Sequence, residues 1–220
     1  TIIKAKSADL AKKIIKQKVA EDIEGAKVKF LQLNSIVIGI SRNKLNIIKH
    51  KNYFHYECDL TNIPLLKKKI KKIKNFKRGL DVIINNAGIT IETDKNFEKS
   101  IKNFDKTLEV NLKAPFIISS LLAESLKKNK NGGTIINISS IGGALGFPNN
   151  PAYISSKSGL IGLTNSFARD YGKYNINVNA VLPGYFNTDM NKKSYNNKKK
   201  RKTRSDLTML TRWGQLPELI

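Results

Sequence analysis

Five short apolar runs, separated by helix-length segments, constrain what this chain can fold into more than any other feature. They occupy residues 35–41 (SIVIGIS), 53–60 (YFHYECDL), 80–88 (LDVIINNAG), 133–140 (GTIINISS) and 176–184 (INVNAVLPG). Most are near-continuous in isoleucine and valine instead of alternating with polar residues, as parallel strands buried on both faces require. Between them lie segments with helical apolar spacing, among them IPLLKKKIKKI, FDKTLEVNLKAPFIISSLLAESLKK and AYISSKSGLIGLTNSFARDYGK. The β-α-β-α alternation predicts an α/β fold built on a doubly wound parallel sheet. Ligands of such sheets lie outside the carboxyl ends of the strands, so the residues that close each run carry the functional argument.

A chain of 220 residues with 40% hydrophobic content suits one domain of this Rossmann type and is too short for two comfortable ones. No apolar run approaches a membrane span, and TIIKAKSADLAKKIIKQK never reaches the unbroken apolar core of a signal peptide. The single cysteine, Cys58, allows neither an internal disulfide nor a multi-cysteine zinc site and reads as a small apolar filler. His50 and His55 have no metal-ligand partners at useful spacing, and no metal is expected. The expectation is a cytoplasmic protein without a membrane partner. A formal net charge of +23 invites a nucleic-acid reading, because a basic face draws phosphate backbones of any sequence. Lysine and asparagine are nonetheless spread through the whole chain beside isoleucine, so compositional drift is preferred over a dedicated nucleic-acid surface.

The stretch NPAYISSKSGL places Tyr153 four residues before Lys157, and SYNNKKKRK repeats that spacing at Tyr195 and Lys199. Residues i and i+4 share a helix face, so Tyr153 and Lys157 project together toward the strand ends. An ammonium near a phenol favours the phenolate, which would bring the tyrosine toward working pH and let it exchange a proton with a carbonyl or hydroxyl. Tyr195 has no strand end before it, and its surroundings are lysine and asparagine without apolar periodicity.

The Tyr153 and Lys157 pair does not stand alone. NNAG (Asn85, Asn86, Ala87, Gly88) closes the third run, Asn111 lies in LEVNLKAPF, Ser140 precedes Tyr153 by thirteen residues, and Pro183 with Gly184 is followed by Thr188. This series, in order and in spacing, resembles the short-chain dehydrogenase/reductase family from about Phe30 to Ile220. The resemblance implies a carbonyl–alcohol oxidoreductase using a nicotinamide cofactor. Its implied catalytic group is Asn111, Ser140, Tyr153 and Lys157. Ser140 would orient the reacting oxygen, Asn111 would hold a water leading from Lys157 to solvent, and Lys157 would also bind the nicotinamide ribose. Cofactor contacts are implied at Asn85, Ala87, Gly88, Pro183, Gly184 and Thr188, and at Asp59 near the adenine. Asp59 also reads as a turn-capping aspartate, and Asn85 as a brace between strands. Gly142, Gly143 and Gly146 do not fit a phosphate-binding pattern and read as a turn after the serine.

The second strand of the resemblance ends in GISRN, where Ser41 and Arg42 stand in place of a carboxylate. An arginine there can pair with a 2′-phosphate, so NADP is expected, with NAD possible and a solvated surface arginine as the alternative. The family opens with a strand and a glycine loop that receives the pyrophosphate, yet before Ser35 this chain has only Gly25. Residues 1–29 therefore read as an atypical leader region, with SADLAKKIIKQKVAEDIEG an amphipathic helix. Residues 30–220 read as the domain, lacking its first and last strands. TRWGQLPELI and the tail are closer to sugar-acid and polyol dehydrogenases than to 3-oxoacyl-carrier-protein reductases. The implied partners are a small carbonyl or alcohol, a sugar acid among them, and further copies of the chain. A catalytically silent protein that keeps the fold is the alternative. Residues 191–206 (NKKSYNNKKKRKTRSD) read as a substrate-side segment that is disordered or loosely helical when empty.

Overall fold

A computed structural model describes residues 2–4, 36–42, 51–75, 79–188 and 190–215. The expected leader helix, KFLQLN, His50, Asp189 and residues 216–220 lie outside the described residues. The elements are β1 (Ile2–Lys4), β2 (Ile36–Ser41), β3 (Tyr53–Glu57), α1 (Ile63–Lys74), β4 (Val82–Asn85), α2 (Phe97–Leu108), a π-helical turn (Glu109–Lys113), α3 (Ala114–Lys127), β5 (Gly133–Ile138), α4 (Gly142–Leu145), α5 (Pro151–Gly172), β6 (Ile176–Val181), α6 (Lys192–Asn196) and α7 (Lys198–Asp206).

All five apolar runs are strands; the first keeps its last residue, Ser41, and the other four end two to three residues earlier than the run, where the chain passes into loops. They join one six-stranded sheet of order β3-β2-β1-β4-β5-β6, doubly wound as expected. β2 with β3, β4 with β5 and β5 with β6 pair in parallel. The central slot, where the resemblance implies a first parallel strand, holds β1, and β1 runs antiparallel to both neighbours. Lys4 pairs with Ile36, the first residue of β2, so the chain leaves β1 at the edge opposite the strand carboxyl ends. No apolar run marks this strand in the sequence, because only Ile2 and Ile3 carry the signal.

Side chains from both faces of the sheet fill the core. α1 starts at Asn62, whose side chain accepts from the Leu65 amide at 3.0 Å, with Pro64 in the first turn and Lys71, Lys72 and Lys74 near its carboxyl end. Its apolar stripe, Leu66, Ile70 and Ile73, is buried against a cluster that includes Ile38, Leu80, Ile83, Leu122, Leu126 and Ile135. Beneath the strands runs a polar ladder. Asn85 donates to Ser119 Oγ and Asn137 Oδ1, each at 2.8 Å, and Asn137 donates to Thr164 Oγ1 at 2.9 Å. These groups are buried, and each Asn donation satisfies an acceptor on another element, so the ladder ties β4 and β5 to α3 and α5.

Candidate active site

The carboxyl ends of β4, β5 and β6 and the first turns of α5 meet at one edge. β5 ends at Ile138, and Ser139 and Ser140 continue from it; the Ser139 amide is tied to Val181 O at 2.8 Å and the Ile141 amide to Pro183 O at 3.1 Å. Ser139 Oγ donates to Lys157 O at 2.8 Å, which fixes the loop to α5. Gly143 allows the same approach from α4: a Cβ there would lie 2.8 Å from the backbone carbon of Lys157. The three glycines thus form a short helix and turn after the serine, as expected, with Gly146 at φ 75°.

Asn111 sits in the π-helical turn for a local reason. Residue 115 is proline and has no N–H to return to the Asn111 carbonyl, and the Ala114 amide reaches back five residues to Glu109 O. The side chain of Asn111 is fully buried. Its Oδ1 accepts from the Ile89 amide at 2.8 Å, and its Nδ2 donates to Ile89 O at 2.9 Å and to Ser156 Oγ at 3.0 Å. Ser156 in turn donates to Tyr153 O at 2.7 Å. A Cβ on Gly88 would stand 3.4 Å from Lys157 Nζ and 3.5 Å from Asn111 Oδ1, so glycine leaves open the space before both groups.

Lys157 is 4% exposed, and its Nζ donates to Ile138 O at 2.7 Å. The same nitrogen lies 5.7 Å from the centroid of the Tyr153 ring. Burial lowers the Lys157 pKa to about 8. Burial pushes the Tyr153 phenol above its ordinary value, and a hydrogen bond with the Ser140 side chain pulls it part of the way back. This corrects the sequence expectation that Lys157 brings the phenol down: desolvation outweighs the other influences, and the ammonium is engaged by a backbone carbonyl. Ser140 Oγ accepts from the Gly142 amide at 3.1 Å, which orients the hydroxyl.

The implied cofactor residues divide into two groups. Pro183, Gly184 and Thr188 are half-buried in the loop after β6, and Gly184 passes Ile141, whose Cδ1 would lie 3.8 Å from an added Cβ. The Ile141 amide ties Pro183 to the serine loop, and Gly88 stands before Lys157, so these residues gather on the side where the resemblance implies the nicotinamide. On the adenine side, Asp59 is exposed and accepts from the Thr61 amide and hydroxyl, both at 2.9 Å, which is the turn-capping geometry. These bonds hold its carboxyl below the usual range, with a smaller contribution from Arg42. Asn85 braces strands, as its alternative reading has it. Ser41 Oγ lies 3.4 Å from His55 Nε2, and His55 Nδ1 lies 3.1 Å from the Tyr53 hydroxyl. The cleft between Ile40, Leu60, Asn85, Ala87 and Ile118 has only about 20 Å³, room for a single water, so an adenine would have to part its walls. The pyrophosphate position does not fit: β1 leaves at the wrong edge, and no glycine loop opens there among the described residues.

Several site residues have no individual sequence signal. Ser139 and Ser156 are small polar residues in a serine-rich stretch, and only their contacts single them out. Asn150, just before α5, donates to Thr90 Oγ1 at 2.7 Å while its buried Oδ1 accepts no hydrogen bond. Beyond them lies an aromatic group: Phe147 stacks on Tyr185 (5.7 Å), and Tyr185 and Tyr195 lie 5.5 and 5.2 Å from Trp213. Tyr195 is therefore part of a packing cluster, with Arg201 over its ring at 5.3 Å.

A sequence profile described as short chain dehydrogenase matches residues 14–199. An uncharacterized oxidoreductase of Thermotoga maritima is 46% identical over 52% of this chain and 44% of its own length. The 3-oxoacyl-acyl-carrier-protein reductase of Rickettsia typhi is 40% identical over 72% of this chain and 64% of its own. The chain thus spans about half to two thirds of the length of these curated relatives. Among solved structures, a 4-hydroxyisoleucine dehydrogenase mutant complexed with NADH and succinate superposes with a TM-score of 0.81 at 32% identity, covering 89% of this chain and 81% of that one. A gluconate 5-dehydrogenase from Burkholderia cenocepacia, complexed with NADP and tartrate, superposes with a TM-score of 0.69 at 25% identity, covering 76% and 65%. Profile, relatives and strand-end geometry converge, and the chain belongs to the short-chain dehydrogenase family.

Proposed function

We propose that the chain interconverts a carbonyl and a secondary alcohol on a small organic acid, with NADP preferred and Tyr153 as the acid/base. The observation that carries this reading is the meeting of Ser140, Tyr153, Lys157 and Asn111 around the space that Gly88 keeps open. A bound dihydronicotinamide would supply the hydride to the carbonyl carbon. Tyr153 gives its phenolic proton to the carbonyl oxygen as that oxygen gains the electron pair of the C=O bond, and Ser140 donates a hydrogen bond to the same oxygen. A phenol that burial keeps protonated suits the donor role, so the arrangement favours reduction at neutral pH. Lys157 and Asn111 hold the proton route back to Tyr153. In the solved relatives, bound succinate and tartrate accompany the cofactors, which supports an acid as substrate. The test is NADPH oxidation with a panel of oxo acids and NADP reduction with gluconate, using Tyr153→Phe as control.

A homo-oligomer belongs to the same proposal. Phe97, Ile101, Phe104 and Phe116 are exposed on α2 and α3, beside a groove of about 760 Å³ lined by Leu108, Leu112, Phe116 and Leu163. A second copy would cover this apolar face. Light scattering on Phe116→Glu checks it, with a shift toward monomer expected.

The direction of β1 favours one other reading, a protein that keeps the fold and the acid-binding end but binds dinucleotide poorly. Cofactor titration separates the two.

A further inference from the structure

Arg204 occupies a position that the proton-transfer group does not explain. Its guanidinium lies 5.2 Å from the centroid of Tyr185 and 5.8 Å from that of Trp213. The shelf beneath it is fixed, because Trp213 Nε1 donates to Arg201 O at 3.1 Å. A guanidinium over aromatic rings keeps its N–H edges in its own plane, where they match the two oxygens of a carboxylate. Arg204 is only half-exposed, yet among the described residues its N–H groups meet no acceptor. The one acid of α7, Asp206, is taken by Lys202 at 3.1 Å.

The shelf leads back to the reacting end. Tyr185 follows Gly184 and stacks on Phe147, and the Phe147 ring would lie 2.7 Å from a Cβ on Gly142, two residues past Ser140. Arg204 is thus separated from the loop of Ser140 by two aromatic rings. Arg201 instead spends its carbonyl on Trp213 and its guanidinium on Tyr195, and Lys198, Lys199 and Lys200 are exposed.

We propose that Arg204 is a carboxylate receptor on the aromatic shelf beside the reacting end, selecting an acid whose carboxylate lies away from the reacting carbon. This rests on the reading of Ser140 and Tyr153 as the reacting end. It singles out one cation of the basic segment as the specificity-determining residue and leaves the others as solvated charge.

Trp213 is the sole tryptophan, so its emission reports on the shelf. The experiment titrates the full chain, without cofactor, with succinate, tartrate and gluconate, and with neutral succinamide at matched ionic strength; calorimetry reads the same constants without the reporter. Expected are a saturable response to at least one acid, none to succinamide, and a Kd raised at least tenfold in Arg204→Met. Arg204→Lys, which keeps the charge and guards against misfolding, should lie between, and Lys200→Met should match the parent. No saturable response to any of the acids, an equal response to succinamide, or an unchanged Kd in Arg204→Met overturns the proposal. Unchanged binding in Tyr153→Phe together with no turnover of any oxo acid by the parent, even at NADPH concentrations that saturate a hundredfold weakened cofactor site, would sink the oxidoreductase reading and leave the receptor standing. Turnover with the same KM in parent and Arg204→Met would do the reverse.

Discussion

Lys157 gives its hydrogen bond to the carbonyl of Ile138, at 2.7 Å, from a position that is 4% exposed. One acceptor does not replace the water an ammonium loses on burial, and the pKa falls to about 8. Below pH 8 folded and unfolded chains both carry the proton, and the burial penalty is fully present. Between pH 8 and the ordinary lysine range the unfolded chain still holds it while the folded chain has released it, so stability rises with pH across that window. The displacement corresponds to roughly 3 kcal/mol. Lys157→Met should therefore be more stable than the parent at pH 7 and should lack the rise. Urea denaturation at pH 7 and pH 10 measures both; parallel pH dependence in the two proteins would contradict the assignment.

The hydrogen bond of Ser140 is the influence that lowers the Tyr153 phenol against burial. Its removal should let burial act alone. Ser140→Ala is expected to move the alkaline limb of the carbonyl-reduction profile to higher pH as well as to slow turnover, since the phenol holds its proton longer. A slower enzyme with the limb in place would make Ser140 a substrate contact without influence on the tyrosine.

The two tyrosines of matching spacing differ in kind. Tyr153→Phe removes the proton donor and should cost about 10²-fold or more in turnover with the fold intact. Tyr195→Phe keeps the ring that meets Trp213 edge-on and should leave turnover and melting temperature nearly unchanged. Comparable losses in both would end the case for Tyr153.

Legibility in the sequence followed the strength of the local signal. β2, β4 and β5 announce themselves because burial on both faces demands near-continuous apolar runs, while β3 and β6 at the sheet edges are half exposed or alternate, and the strand-end residues stood out because their order and spacing resemble the family's. β1 was not legible: three residues carry no period, and its place is set by sheet edges left open by β2 and β4. The direction of the Tyr153 shift was also out of reach, since it depends on how deeply the phenol is buried, and spacing along a helix says only that Lys157 shares its face. The basic segment at 191–206 reads as disordered or loosely helical; it forms α6 and α7, and what the sequence did not reveal is that Trp213 anchors it through the Arg201 carbonyl and a stack of rings. The bearing of Arg204 on Tyr185 lay hidden for the same reason: nineteen positions separate them, and no period connects the pair.

Arg42 follows β2 directly and is exposed, near enough to Asp59 to add a small lowering to the one that the Thr61 hydrogen bonds impose on that carboxyl. Arg42→Ala should weaken NADP by about 1.5 to 3 kcal/mol, the size of a hydrogen bond to a charged group, while NAD is little affected. Equal losses for the two cofactors, measured by fluorescence titration, would remove the reason for preferring NADP.

The course of β1 bears on the other phosphates. A parallel first strand would deliver the chain to the carboxyl edge, where backbone amides and a helix N-terminus can receive a pyrophosphate. β1 delivers it to the opposite edge, and the described residues offer no glycine loop in its place. Each missing bond to a charged acceptor is worth about 1.5 to 3 kcal/mol, so the loss of even two lowers affinity by more than two orders of magnitude. NADPH is accordingly expected to bind at least a hundredfold more weakly than to a relative with the loop, with little turnover at ordinary cofactor concentrations. Grafting a parallel strand and glycine loop in place of residues 1–34 should restore both. Low-micromolar NADPH binding by the parent chain would overturn this expectation and call for a substitute loop, for which KAKSAD, residues 4–9, is the candidate.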